Sequence, residues 1–180
     1  MRKYRKINEL LVRNARKYPI YECMINPSWK EMGLAIILLS RKRPDGNILF
    51  GCYLVDIFCL GLKDTFWNSN FPLERYENEL KPAVYRDEEP IDCDISMAHQ
   101  IIYGAIEYAH KLGFNPHKDF RITKHILKDK NNLKMDADIE FGKNGKPLYI
   151  AGPNDDIEAI LKKLGEKLGE ENFYYIYEKK

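Results

Sequence analysis

Asp56 is the residue hardest to place without chemistry. It stands in Leu54-Val55-Asp56-Ile57-Phe58-Cys59, within an apolar run that reads as a strand covered on both faces. A carboxylate there must be paired or hydrogen-bonded, because burial disfavours its charge. Perturbed carboxylates concentrate at functional sites. The alternative is an Asp that accepts bonds from backbone amides, or from an Arg at a sheet end. Gly61-Leu62-Lys63-Asp64 follows. Gly61 ends or bends the strand, and Lys63 and Asp64 fall on the next loop, where binding residues collect. His117 and Asp119, in the corner Gly113 to Phe120, supply a candidate general base and the carboxylate that orients it. The alternative there is a compact packed corner. Asp56, Lys63, Asp64, His117 and Asp119 together compose a hydrolase-like set. Asp56 and Asp64 would orient or hold a divalent cation, His117 would move protons, and Lys63 would stabilise negative charge.

Other residues carry weaker chemistry. Cys23, Cys52, Cys59 and Cys93 form no CxxC pair, and three lie in or beside apolar segments. They read as reduced, mostly buried thiols rather than a zinc site. Cys59 as a nucleophile needs a base, and no His is near it in sequence. Glu107-x-x-His110 matches half of a di-iron pattern, but it points away from its helix's apolar stripe and occurs once. Asp155 and Asp156 suit the first turn of a helix opened by Pro153. No phosphate-binding glycine loop, nucleophile elbow or H-E-x-x-H motif is present.

The elements that must position these residues follow from periodicity. Residues 3–17 read as a basic amphipathic helix ended by Pro19. Residues 20–25, 33–43 and 48–60 read as three strands, the last two joined by the turn Pro44-Asp45-Gly46-Asn47. Glu74 to Tyr85 reads as a short helix broken near Pro82, and residues 95–112 as the clearest helix, capped by Asp94 or Ser96. On that helix His99, Tyr103, Glu107 and His110 fall opposite the apolar stripe. Residues 116–128 read as a further helix, with Asn115 as cap and Pro116 at its first position. Residues 138–141 and 147–150 read as a second hairpin around Asn144-Gly145, residues 153–168 as a helix, and Phe173 to Tyr177 as a last strand. This order predicts an α+β fold with a mixed or antiparallel sheet built from two hairpin regions, helices packed on it.

With 180 residues, 44% of them apolar and 31% charged, the chain reads as one ordered domain: a basic helix over 1–19 and a core over 20–180. The longest apolar run is six residues, far short of the about 20 a membrane helix needs, and no signal peptide is visible. A soluble, cytoplasmic protein is expected. Charge is segregated: residues 1–43 hold eleven Lys/Arg against three Asp/Glu, and residues 44–107 hold four against twelve. That pattern implies mutual attraction or two faces of opposite sign.

Three strings stand out together: Val55 to Asp64, Gly113 to Phe120, and Gly152-Pro153-Asn154-Asp155-Asp156. They resemble a group of uncharacterised prokaryotic hypothetical proteins, over residues 18 to 177. The resemblance implies no activity, cofactor or catalytic residue.

Three readings follow. The preferred one is an intracellular module that binds another macromolecule, or itself. The alternative is a small hydrolase or nuclease-like enzyme built on the five residues above, with or without a divalent cation. The third is a nucleic-acid binder acting through the N-terminal helix with Arg121, Lys124 and Lys128; the pI near 8.2 and the lack of interleaved aromatics argue against it.

Overall fold

The computed structural model describes residues 2–86, 88–127 and 138–177. Three long strands dominate: β2 (Leu34–Lys42), β3 (Ile48–Asp56) and β4 (Gly61–Phe71). With β1 (Ile20–Ile25) and β5 (Ile91–Asp92) they form an antiparallel sheet in the order β4-β3-β2-β1-β5. The expected turn joins β2 to β3. Gly46 takes φ 84°, Lys42 pairs with Ile48, and at the far end Leu34 pairs with Asp56.

The third strand does not run to residue 60. It stops at Asp56, turns through residues 57–60, and returns as β4, a strand the sequence reading missed. Asp56 is therefore not mid-strand; it is the last residue before a tight turn. Gly61 opens β4 at φ 70°. A Cβ there would lie 2.9 Å from the Ala105 carbonyl oxygen, so the close approach of strand to helix needs glycine.

Both faces of the sheet are covered, as the apolar strands require. On one face Ile37, Leu39, Tyr53 and Val55 pack against α5 (Ile95–Lys111), α6 (Phe120–Thr123) and the buried side of α1 (Arg2–Arg13). Each fully buried Leu or Ile contributes about 1.5–3 kcal/mol by leaving water. On the other face Leu38, Ile48, Phe50 and Cys52 meet Tyr76 and Tyr85. These belong to a helical stretch made of α3 (Leu73–Arg75), a π turn (Tyr76–Leu80) and α4 (Lys81–Tyr85). Pro82 comes just after the π turn; its absent N–H leaves one bond of the stretch unmade, yet the helical backbone continues to Tyr85.

Several local expectations are corrected. His99 is fully buried rather than on a wet face, because α5 is covered on more than one side; Glu107 and His110 are exposed as expected. The helix expected over 116–128 shrinks to α6, with Asp119 rather than Asn115 at its N-cap; Lys128 lies outside the described residues. The second hairpin does not form. Lys143 and Lys146 do bridge the Asn-Gly turn, but β6 (Leu148–Ile150) pairs in parallel with β7 (Tyr174–Ile176). Between them runs α7 (Ile157–Leu168), which starts later than expected, with Asp156 as its N-cap accepting from Ala159 N. Cys59, Leu60, Leu112, Tyr149, Leu164 and Phe173 form the small core under these elements.

Candidate functional site

The expected site residues lie near the β3–β4 turn, and most are tied off. Asp56 is buried. Its Oδ1 accepts from the backbone N–H groups of Phe58 (2.9 Å) and Cys59 (2.9 Å), and its Oδ2 from Leu60 N (3.1 Å). Burial raises its pKa above the usual carboxylate value, and the three amide bonds only partly offset that. The side chain closes a turn that has no other means of satisfying three buried donors.

Lys63 points to the segment before α7. Its Nζ lies 2.8 Å from Asp155 Oδ2, which also accepts from Gly152 N (2.8 Å) and Tyr149 Oη (3.3 Å). Burial pushes the Asp155 carboxyl up, but Lys63 and the Gly152 amide outweigh it and hold the pKa below the ordinary value. Asp155 is thus an ion-pair partner rather than a first-turn helix residue. Two further backbone bonds fasten this end: His117 N to Leu62 O (3.0 Å) and Leu148 N to Phe58 O (3.1 Å). The three strings singled out in the sequence meet here as one junction.

Asp64 and His117 are the closest approach to a reactive pair. His117 Nδ1 accepts from Asp119 N (3.4 Å), and its Nε2 lies 3.7 Å from Asp64 Oδ1. Asp119 thus orients His117 through its backbone, not its carboxylate. Asp64 also lines the mouth of a 550 Å³ groove between the sheet and α4, floored by Ile36, Cys52, Leu54 and Phe66. Among the described residues no group of three or more His, Cys, Asp and Glu side chains is placed to hold a metal. All four cysteines are buried and free; burial pushes the Cys59 thiol well above its ordinary pKa, which works against a nucleophilic role.

The opposite end of the ladder is built differently. Arg41 is buried and donates to two carbonyls, Tyr18 O (2.8 Å) and Ile126 O (2.9 Å). Arg16 donates to Leu127 O (2.7 Å), and Lys42 N to Pro19 O (3.0 Å). These bonds draw together two basic runs distant in sequence, Arg13 to Lys17 and Arg41 to Arg43, and the single Lys124. Lys17, Lys42 and Lys124 have no ion-pair partner among the described residues, and Arg43 pairs with Asp45 (2.9 Å). His125 registers the accumulated charge: burial first, then Arg13, Lys124 and Arg16, lower its pKa below the usual imidazole value. Lys17, Tyr18, Lys42 and Arg43 line a cavity of about 380 Å³ between the segment before β1 and the β2–β3 hairpin.

The fold class is α+β, with helices on an antiparallel sheet. No family model, curated protein or solved structure matches the chain. No helix among the described residues is long and apolar enough to cross a membrane. Sequence reasoning named Lys124 but missed Tyr18, Lys42 and Arg43. The available signal was the run Arg41-Lys42-Arg43 directly before a hairpin turn.

Proposed function

We propose that the protein is a non-catalytic, macromolecule-binding module whose cationic end takes a polyanionic partner. The supporting observation is that the carbonyl bonds of Arg16 and Arg41 bring the segments bearing Lys17, Lys42 and Lys124 to one end of the sheet, and that none of these lysines has an ion-pair partner among the described residues. Like charges held together are unfavourable until an anion arrives, so a polyphosphate backbone gains from each of them. The test is fluorescence anisotropy of labelled inorganic polyphosphate across a salt series. Affinity falls linearly on a log–log plot, and K17A/K42A/K124A weakens it at least tenfold and flattens the slope. On binding, the His125 imidazole titrates at higher pH by NMR. Absence of binding at low salt contradicts the proposal.

The hydrolase reading keeps one observation in its favour, the approach of His117 to Asp64 at the groove mouth. Turnover of bis(p-nitrophenyl) phosphate with manganese, lost in both D64N and H117A, would establish it.

A further inference from the structure

We propose that the polyanion is a single-stranded nucleic acid, with one base stacked on the Arg43 guanidinium that layers over Tyr18 and its neighbouring phosphates held by Lys17 and Lys42. This rests on the polyanion reading and adds the chemistry that selects among polyanions.

A nucleic-acid strand alternates flat aromatic bases with charged phosphates, and proteins that bind single strands match it with ring platforms set among cations. Of the cavity's lining residues Lys17, Tyr18, Pro19, Lys42, Arg43, Pro44 and Gly46, three are cations and one is aromatic. The Tyr18 ring is a fixed platform. It packs against the main core, its N–H donates to Ala15 O (2.9 Å), and its carbonyl accepts from buried Arg41 (2.8 Å). Arg43 lies over the ring, its guanidinium carbon 6.0 Å from the ring centroid, and is held there by Ser69 O (2.8 Å) and Asp45 (2.9 Å). A planar cation layered on a tyrosine ring presents its own outer face to a base. An acidic peptide would use the same lysines but has no flat group for the ring. A duplex keeps its bases stacked on one another and presents only backbone to such a site. The observations therefore favour a single strand.

The experiment compares four labelled probes by anisotropy at matched salt: a single strand of about 15 thymidines, within the span such sites cover, a duplex of the same length, inorganic polyphosphate and poly-glutamate. The variants are wild type, Y18L, which keeps apolar packing but loses the ring, and Y18W, which enlarges it. Circular dichroism melts verify that each variant is folded. Wild type binds the single strand tightest. Y18L weakens that binding about tenfold and changes polyphosphate binding less than twofold, and Y18W restores or tightens the single strand. If Y18L weakens single strand and polyphosphate equally, or if duplex or poly-glutamate binds tightest, the base-stacking inference is overturned while the polyanion reading stands. If none of the four probes binds at low salt, both are overturned.

Discussion

The two ends of the β2–β3–β4 ladder lie about 26 Å apart, eight steps along β3, and they handle charge in opposite ways. At the β3–β4 end, Asp56 is enclosed by three amides and Lys63 is neutralised by Asp155. At the β2–β3 end, Arg41 and Arg16 donate to carbonyls, and Lys17, Lys42 and Lys124 have no ion-pair partner among the described residues. Both ends hold charged residues in an apolar setting. The difference is what neutralises them. On the proposed reading, a polyanion gains from the end whose lysines have no carboxylate partner among the described residues and not from the end whose charges are already paired.

Removing a buried charge should cost stability at both ends, and removing an exposed lysine should cost it at neither. The largest loss is expected for D56A, which strands three buried donors in one turn: about 4 kcal/mol at 1–3 kcal/mol for each unsatisfied group, less relaxation. Urea unfolding by circular dichroism, with an unchanged m-value, measures it. R41M comes next, at about 2–3 kcal/mol, since it frees two carbonyls and loses the joint between Tyr18 and Ile126. A loss below 0.5 kcal/mol for either would break the comparison.

D155N should cost about 1–2 kcal/mol at neutral pH, less than a fully buried pair because both partners keep some exposure. Its pH dependence sharpens the point. The folded Asp155 pKa lies below the unfolded value of about 3.9, so its contribution is present above that value and lost as pH falls through the folded pKa. Wild type and D155N therefore differ most above pH 4 and converge in acid. A constant difference down to pH 2 would show that the ion pair is not its source. The smallest effect belongs to K17A, K42A and K124A. Each changes stability by less than about 0.5 kcal/mol, yet each lowers the polyphosphate salt slope by about 0.7–0.9.

The contrast explains what was legible in the sequence. Asp56 is visible as an anomaly because a carboxylate in an apolar run needs a reason, and one of the two reasons considered, capture by backbone amides, is the one found. The turn it closes is hidden, because Ile57-Phe58-Cys59-Leu60 contains none of the usual turn residues and the Asp side chain supplies the bonds instead. The β2–β3 hairpin is legible from Pro44 to Asn47, since its geometry is local. The parallel pairing of β6 with β7 is not, because Asn144-Gly145 marks a turn but says nothing of a partner 26 residues on. The cationic end is the least legible. Arg16 and Leu127 are 111 positions apart, and nothing within either segment announces the other.

The most direct test of the account is the polyphosphate salt slope measured side by side for wild type, K17A/K42A/K124A and K63M. The account predicts that the triple variant loses affinity and most of the slope while melting like wild type. K63M, by contrast, should melt lower and bind unchanged. Equal loss of binding in both, or unchanged binding in the triple variant, would contradict the division of the molecule into a closed end and a binding end.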